Sequence, residues 1–351
     1  MNKDIFFVTP NLANGGAERV TAVLAQELAR TGDAVTLVYM KDDKTVYPVG
    51  ENVQVQMLFS SSARVKRIVG KILRLRRLMR QNPTATFVAM LPFETLYTFF
   101  ASRGLPCRVV YSLRNDPGNM NTRRDRFILR HIYPRADAIV FQTEDAKSFF
   151  PESVQKKGII IPNPLSGSLP ERWVGTRKEE IVTVGRLTEQ KNIPMLLRAF
   201  VAVHEKHSDW NLSIYGQGEL QKKLEKLCEK LRISQSVKFC GFTENVVQKI
   251  NTSGVFAMAS DYEGISNAML EALATGVPCV CTDCPIGGAR MMICDHENGI
   301  LVPVGDTQAM TQALLEVIET PGLAEQLSKN SVSIRDELSV NGIAEKWKGI
   351  L

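Results

Sequence analysis

Short apolar segments alternate with longer amphipathic segments along the whole chain. The apolar segments have the length of buried strands, and the amphipathic ones repeat their apolar residues at helical spacing. In the first half, the pattern predicts a helix at residues 17–30 and strands at 5–8, 34–39, 86–90, 108–112 and 138–142. In the second half, it predicts helices at 195–206, 221–231 and 267–274 and strands at 180–184, 211–215, 237–239, 254–259, 278–282 and 299–302. Such alternation is typical of parallel sheets connected by crossover helices.

Residues 161–167 have the proline, glycine and serine content of a linker. The sequence therefore predicts an α/β protein with two doubly wound, Rossmann-like domains that face each other across a cleft. We expect a first domain at residues 1–165, a second at 166–335, and a C-terminal helix at 336–351 that returns towards the first. Ligands of such folds bind outside the carboxyl ends of the strands, so the cleft is the expected site.

The composition is that of an ordinary globular protein, with 44% hydrophobic and 23% charged residues in a chain of 351. This length suits two domains. The seven cysteines are an odd number and no secretory signal opens the chain. We therefore expect free thiols and a reducing cytoplasm. No uncharged apolar run approaches the ~18 residues of a spanning helix.

The stretch at residues 261–278 carries the most chemical information. An apolar strand ends there, a glycine loop follows, and a helix begins near Ser266. The free N–H groups and positive dipole end of that helix suit a diphosphate or sugar oxygens. Glu263 lies in the loop and Glu271 about one turn inside the helix, and a carboxylate accepts hydrogen bonds from vicinal hydroxyls. Taken alone, the pair also fits a plain helix with an acidic first turn.

An ordered set of motifs accompanies this pair. Glu263 and Glu271 are separated by seven residues and are followed by a small-residue helix and a turn at residues 275–278. The other motifs lie at residues 14–19, 184–192, 215–219 and 239–242. In these motifs the chain resembles family 4 of the retaining glycosyltransferases, which have the two-domain GT-B architecture. The resemblance covers nearly the whole chain.

The resemblance implies a donor site built mainly by the second domain. Arg186 and Lys191 would bind the donor diphosphate and neutralise charge on the leaving nucleotide, a role that a metal has elsewhere. Glu271 would hold the ribose hydroxyls, and Glu263 would face the donor sugar. Further donor contacts are expected at Gly15, Gly16, Gly241, Phe242, Gly264, Ile265, Ser266 and Asn267.

Two positions depart from the family pattern. Many members have a histidine on the first domain that meets the reacting sugar, and Arg114 stands at the corresponding place here. We expect Arg114 to contribute charge stabilisation, in a mechanism where the leaving phosphate accepts the proton of the acceptor. Met291 occupies a place often taken by glutamate.

The sequence predicts no metal and no other cofactor. It contains no Asp-x-Asp motif, so a divalent cation held by paired carboxylates is not indicated. The alternative is a zinc site that would use Cys279, Cys281, Cys284, Cys294 and His296. Their spacing matches no standard zinc pattern, and the first two fall on one face of an apolar strand.

A basic amphipathic helix is predicted at residues 64–80, where eight cations and no acid occur. Its predicted apolar stripe comprises Val65, Ile68, Val69, Ile72, Leu75 and Met79. Arg67, Lys71 and Arg74 line another face, which suits an anionic membrane surface or the head of a polyprenyl-diphosphate acceptor. The alternative is a domain helix that docks its apolar stripe and leaves its cations in solvent.

The uneven distribution of charge between the two halves favours an anionic membrane as the partner of the first half. The first 165 residues carry 24 Lys and Arg against 14 Asp and Glu, whereas the remainder carries 19 against 23. One half therefore suits an anionic partner. Nucleic acid is disfavoured because no recognised binding module and no interleaved aromatic residues accompany the charge.

These features predict a retaining, metal-independent glycosyltransferase. Its donor would be a nucleotide-diphosphate sugar, UDP-linked by family frequency, and its acceptor a membrane-associated, lipid-linked glycan in envelope polysaccharide synthesis. We expect it in the cytoplasm, peripheral on the inner face of the cell membrane. The alternatives are a nucleotide-sugar epimerase of the same fold and a non-catalytic nucleotide-sugar binder. A dehydrogenase would need Gly-x-Gly-x-x-Gly after the first strand, and residues 14–18 lack it.

Overall fold

The structure, a computed structural model, describes residues 3–13, 15–41, 47, 49–58, 64–165 and 168–351, with only the backbone described at 64–67. The chain divides into two compact units. The first comprises Met1–Gly167 together with Leu338–Leu351, and the second comprises Ser168–Glu337.

A parallel sheet forms the centre of the first unit, with seven strands among the residues described. They are β1 (Asp4–Thr9), β2 (Ala34–Tyr39), β3 (Gln54–Met57), β4 (Thr86–Ala89), β5 (Arg108–Ser112), β6 (Ala138–Phe141) and β7 (Gly158–Ile160). Their order is β3-β2-β1-β4-β5-β6-β7, so the winding direction reverses between β1 and β4. This topological switch point is where open α/β sheets bind ligands.

Helices connect these strands. They are α1 (Gly16–Arg30), α2 (Arg64–Gln81), α3 (Pro92–Ser102), α4 (Arg123–Phe127), α5 (Glu144–Ser148) and α6 (Glu152–Gln155). Proline at the first position of α3 sets a helical φ where no N–H partner is needed. Phe6 of β1 stacks on Phe87 of β4 with ring centroids 4.7 Å apart, and α2 packs Leu75 and Met79 into the same core.

A second parallel sheet forms the centre of the second unit, with six strands in the described part of the chain. They are β8 (Lys178–Val184), β9 (Asn211–Tyr215), β10 (Val237–Gly241), β11 (Ser253–Met258), β12 (Cys279–Thr282) and β13 (Ile300–Val302). Their order is β10-β9-β8-β11-β12-β13, which places the switch point between β8 and β11. The helices are α7 (Ile193–Lys206), α8 (Gln221–Leu231), α9 (Val246–Ile250), α10 (Asn267–Ala274), α11 (Thr307–Glu319), α12 (Leu323–Ser331) and α13 (Ile334–Glu337). The predicted fold class of two Rossmann-like, parallel α/β units is confirmed.

The C-terminal helix α14 (Val340–Lys348) packs against α1 in the first unit. Trp347 is fully buried there. Beyond the helix, the carbonyl of Ile350 accepts a hydrogen bond from Nε of Arg108 at 3.0 Å. The last residues of the chain therefore contribute to the core of the first unit.

Helix α2 forms where the sequence predicts it, but its faces match the prediction only in part. Of the predicted apolar stripe, Leu75 and Met79 are buried, whereas Ile68 and Val69 are 38% and 50% exposed. Lys71, assigned to the basic face, is buried with its Nζ 5.9 Å from the ring centroid of Tyr97. A cation over an aromatic ring is favourable, which offsets part of the cost of burying the ammonium group. Arg74 is exposed as predicted, and the side chain of Arg67 lies outside the described residues.

Among the helices that the structure describes, not one combines the length and the apolar content needed to cross a lipid bilayer.

Candidate active site

The switch point of the second unit carries an ion pair. Lys191 lies in a 3-10 turn after β8, and Glu263 lies in the loop after β11. Nζ of Lys191 donates a hydrogen bond to Oε1 of Glu263. Their side chains are only 17% and 12% exposed. The structure thus brings two of the predicted site residues into direct contact at the carboxyl edge of the sheet.

Hydrogen bonds between the two loops hold this pair in register. The backbone N–H of Asp261 donates to the carbonyl of Gln190 at 2.9 Å, and Nε2 of Gln190 donates to the carbonyl of Tyr262 at 2.8 Å. Asn192 adopts a left-handed conformation with φ of 40° and caps α7. Its Nδ2 also donates to Oδ1 of Asp261 at 2.7 Å. A non-glycine residue held at positive φ beside a candidate site indicates a local geometry fixed by its surroundings.

Glu263 has further support from within the second unit. Oγ of Ser260 donates to Oε1 of Glu263 at 2.9 Å. The carbonyl of Ser260 accepts from Oγ1 of Thr282 at 2.7 Å and from Sγ of Cys284 at 3.3 Å. Burial raises the pKa of the Cys284 thiol to about 12, so it stays a neutral donor. The supporting roles of Ser260, Thr282 and Cys284 could not be predicted, because a lone Ser, Thr or Cys in or beside an apolar strand gives no signal of this role.

Close backbone contacts bring the surrounding loops together, and glycine makes them possible. Gly216, after β9, has φ of 135°, and a Cβ atom there would lie 1.9 Å from the carbonyl oxygen of Gly185. A Cβ atom on Gly288 would lie 1.9 Å from the carbonyl oxygen of Gly264. The backbone N–H of Gly216 donates to the carbonyl of Gly241 at 2.8 Å. These positions exclude any side chain.

Helix α10 begins beside Glu263. Ser266 is its N-cap, and the hydroxyl of Ser266 accepts from the backbone N–H of Met269 at 3.5 Å. Asn267 is the first helical residue, so the positive dipole end of this helix lies next to the ion pair in sequence. Gly264 and Ile265, which connect Glu263 to the cap, are buried. Glu271, one turn into the helix, is 3% exposed.

The remaining predicted donor residues of the second unit lie at the same edge of the sheet. Arg186 is exposed directly after β8, and Phe242 is 41% exposed directly after β10. Gly241 precedes it with φ of 70°, a conformation that favours glycine. The ring of Phe242 is therefore not part of the core of the second unit.

The predicted site residues of the first unit are Gly15, Gly16 and Arg114. Gly15 is the N-cap of α1, which Gly16 begins, after β1. Arg114 follows β5, and its Nη1 donates to Oδ1 of Asn163 at 2.7 Å. Its guanidinium lies 5.6 Å from the ring centroid of Trp347. Nε and Nη2 of Arg114 are buried and have no hydrogen-bond partner among the described residues.

Burial lowers the pKa of the Arg114 guanidinium to about 9, so it stays protonated at neutral pH. The observed contacts of Arg114 are internal to the first unit and join the loop after β5 to the C-terminal helix. Its catalytic role stays a prediction, and its packing role is one that the sequence did not indicate.

An acid that the sequence analysis did not assign lies at the switch point of the first unit. Glu94, in the first turn of α3 after β4, is 4% exposed. Burial raises the pKa of its carboxyl to about 7; Glu18 adds to the increase, whereas Lys41 and Lys71 oppose it. The available signal was an acid inside the otherwise apolar stretch at residues 87–101.

The alternative zinc ligands are not clustered. No group of three or more His, Cys, Asp or Glu side chains in the described ranges is arranged to hold a metal ion. Cys279, Cys281 and Cys284 are fully buried, whereas Cys294 is exposed. The absence of a metal requirement stays a prediction.

Comparisons with known proteins agree with the motifs. The family model described as Glycosyltransferase Family 4 matches residues 14–166, and that described as Glycosyl transferases group 1 matches residues 172–333. A relative in Campylobacter jejuni is 30% identical over 93% of this chain and 92% of its own length. It is named N-acetylgalactosamine-N,N'-diacetylbacillosaminyl-diphospho-undecaprenol 4-alpha-N-acetylgalactosaminyltransferase. An uncharacterized glycosyltransferase of Haemophilus influenzae is 28% identical over the full length of both chains.

A similar fold occurs among solved structures. The crystal structure of HepE from Anabaena in complex with UDP and glucose matches with a TM-score of 0.85. The match covers 99% of both chains at 16% sequence identity. At this identity the likeness shows the fold alone.

Proposed function

Because the chain belongs to the family 4 glycosyltransferases, we propose that it transfers a sugar from a nucleotide-diphosphate donor to a lipid-linked glycan acceptor. The observation that carries the proposal is the Lys191–Glu263 ion pair at the switch point of the second unit. A cation fixed by a buried acid, beside the positive dipole end of α10, is an arrangement suited to a pyrophosphate next to a sugar.

In the proposed donor complex, Lys191 and Arg186 bind the diphosphate. Glu263 holds the Lys191 ammonium in place and faces the sugar hydroxyls. The backbone N–H groups at 264–267 approach the sugar and phosphates, and Glu271 accepts from the ribose hydroxyls. Phe242 is exposed and has a ring that can stack on the nucleobase. The donor is proposed to be UDP-linked, which accords with the UDP in the HepE structure.

The proposed reaction proceeds with retention at the anomeric carbon. An acceptor hydroxyl oxygen forms the new bond to that carbon on the face from which the phosphate leaves. The bond from the carbon to the phosphate oxygen breaks, and the leaving phosphate takes the hydroxyl proton. Charge grows on the phosphate in the transition state, and fixed cations are most effective there. We propose that Lys191 and Arg186 supply this stabilisation without a metal ion.

The acceptor proposal rests on relatives and on charge. The Campylobacter jejuni relative is named for a diphospho-undecaprenol substrate. The first unit of the present chain carries an excess of cations. Such an excess suits a lipid-linked diphosphate and an anionic membrane surface, because both carry negative charge. We propose that the sugar is a hexose or N-acetylhexosamine added during envelope polysaccharide synthesis, at the inner face of the cell membrane.

The test is nucleotide release, measured with UDP-hexoses and UDP-N-acetylhexosamines. We expect rapid UDP release only when an undecaprenyl-diphosphate-linked glycan is present. UDP release or inversion of the donor sugar that does not depend on the acceptor would favour an epimerase. Binding of the donor without UDP release would favour a non-catalytic binder.

A further inference from the structure

Exposed aromatic rings line one surface of the first unit. Phe93 and Phe100 on α3 are 49% and 43% exposed, and Phe127 at the end of α4 is 37% exposed. The rings of Phe100 and Phe127 stack with centroids 6.3 Å apart. Large rings that associate outside the core form an apolar patch, and such patches mark interaction surfaces.

Arginines surround these rings. Arg123, Arg126 and Arg130 are exposed on α4 and on the π-helical turn that follows it. The guanidinium of Arg124 lies 4.2 Å from the ring centroid of Phe93. Asp125, the acid within α4, is buried and bonded to Thr122 in a capping box. The aromatic–arginine face is defined here as Phe93, Phe100, Phe127, Arg123, Arg126 and Arg130.

A pocket of about 460 Å³ opens where α3 ends. Three arginines line it, Arg103, Arg108 and Arg135, and they define the arginine pocket. Arg103 lies 5.5 Å from the ring centroid of Phe99, which in turn contacts Phe100 at 5.3 Å between centroids. The arginine pocket is therefore continuous with the aromatic–arginine face.

The position of the pocket separates it from the candidate active site. It lies at the amino ends of β5 and β6, whereas the Gly15, Glu94 and Arg114 segments follow the carboxyl ends of strands. Ligands of the α/β sheet itself bind at the carboxyl edge. The pocket at the opposite edge is therefore distinct from the site at the carboxyl edge.

Its lining is electropositive. Asp137 is the acid in the pocket, and its Oδ2 accepts from the backbone N–H of Val109 at 2.7 Å. Burial raises the pKa of the Cys107 thiol, so this group stays neutral. Arg108 and Arg135 each donate one bond to a backbone carbonyl, of Ile350 and His131 respectively, which orients both guanidinium groups. The pocket thus has three guanidinium groups and one carboxylate, which already accepts a hydrogen bond. This excess of positive charge suits an anion with several oxygens, such as a phosphate.

We propose that the aromatic–arginine face docks on an anionic lipid bilayer and that the arginine pocket holds the phosphate of a phospholipid head group. Exposed phenylalanine rings can bury themselves at the boundary between head groups and acyl chains, and clustered cations are attracted to anionic head groups. A lipid surface supplies both the apolar layer and the phosphates that the two features require. The inference deepens the proposed function by naming the surface that meets the membrane. It also replaces the basic face predicted on α2, where Lys71 is buried.

The test compares two double variants in vesicle sedimentation. Arg103→Gln with Arg135→Gln removes two cations from the pocket, and Lys222→Gln with Lys226→Gln removes two exposed cations from α8 in the second unit. With vesicles of phosphatidylglycerol and phosphatidylcholine, we expect roughly twenty-five-fold weaker binding for the first variant, about fivefold for each cation. The α8 variant should bind as the wild type does. Equal losses, or no loss in the pocket variant, would overturn the proposal.

Further experiments test the phenylalanine rings of the aromatic–arginine face. They also test two other ligands, a second copy of the chain on this face and free phosphate in the arginine pocket. Phe100→Ser with Phe127→Ser should weaken vesicle binding even at high salt, because burial of the rings is not screened. If the face instead joined two copies of the chain, light scattering would show a dimer that these serines dissociate. If inorganic phosphate alone stabilised the wild type while vesicles did not bind, the site would be one for free phosphate. Either result would refute lipid docking.

Failure of this inference is distinguishable from failure of the proposed function. Stabilisation by UDP should be the same in the pocket variant and in the wild type, since the pocket lies outside the donor residues. Loss of vesicle binding with intact UDP binding supports the docking surface. Intact vesicle binding with no UDP response would leave the surface in place and remove the donor assignment.

Discussion

The two units place different chemistry at equivalent points of their sheets. At the switch point of the second unit, Lys191 and Glu263 form an ion pair that hydrogen bonds hold in place. At the switch point of the first unit, Glu94 is buried, and burial raises the pKa of its carboxyl to about 7. The same topology brings the loops together in both, but the surroundings of the two acids differ: Glu263 pairs with Lys191, whereas burial raises the pKa of Glu94. An acid in an ion pair holds a cation in place for an anionic ligand. A buried acid whose pKa is about 7 can instead exchange a proton at neutral pH.

The largest expected effect tests the ion pair. Lys191→Met should lower kcat by about 10²–10³, the usual effect of removing one group that stabilises transition-state charge. The measurement is acceptor-dependent UDP release at saturating donor, with Lys222→Met on α8 as the control. Because removing one partner leaves a buried charge, the free energy of unfolding must be measured as well. A stable Lys191→Met protein with unchanged kcat would contradict the role.

Gly216→Ala tests the close approach of the loops in the second unit. We expect a loss of roughly 3 kcal/mol in the free energy of unfolding, because the added methyl meets the Gly185 carbonyl and φ is positive. Gly305→Ala is the matched control, since Gly305 has φ of 76° but nothing within 4 Å of its Cβ position. Equal losses in urea denaturation would show that backbone conformation alone matters.

Glu94→Gln tests the first switch point by its pH dependence. The carboxyl ionises near 4.5 in the unfolded chain and near 7 in the folded protein. Glu94 therefore binds more protons in the folded state between these values, and its contribution to the stability of the wild type falls as pH rises from 4.5 to 7. The loss approaches about 3 kcal/mol above pH 7. Glu94→Gln should be more stable than the wild type at pH 8 and similar to it at pH 4. Exposed Glu51→Gln is the control, and parallel pH profiles would refute the account.

Asn192→Ala has the smallest expected effect. It removes the cap of α7 and the bond to Asp261, at a cost of about 1–2 kcal/mol. Because Asn192 adjoins Lys191, we also expect a few-fold lower kcat with the KM for donor nearly unchanged. Thermal unfolding and steady-state kinetics measure the two effects. A stability loss without any change in kcat would show that the loop bond does not position Lys191.

The sequence predicted the second unit better than the first, for physical reasons. Strands buried on both faces, such as β11, give clear apolar runs, whereas β3 is a four-residue edge strand exposed throughout and was not predicted. Lys191 and Glu263 stand in motifs that position them directly after strands. Glu94 stands in an apolar stretch where an acid has no motif, and only the folded sheet shows that it is buried at a switch point.

Amphipathic periodicity failed on α2 because it treats lysine as a surface residue. The long side chain of Lys71 is buried instead, with its ammonium above the ring of Tyr97. The buried face therefore includes Lys71 and Leu78 beside the predicted Leu75 and Met79. A pattern of residue types cannot foresee a contact of this kind, since it depends on a neighbouring helix.

The most direct test of the central claim is the thermal stabilisation of matched variants by UDP. The claim is that the second switch point carries the donor nucleotide. At about 100 times the Kd, UDP should add about 2.7 kcal/mol to the wild type and to Glu94→Gln. It should add far less to Lys191→Met and to Glu271→Ala. A full UDP response in the last two variants, or its loss in Glu94→Gln, would contradict the account.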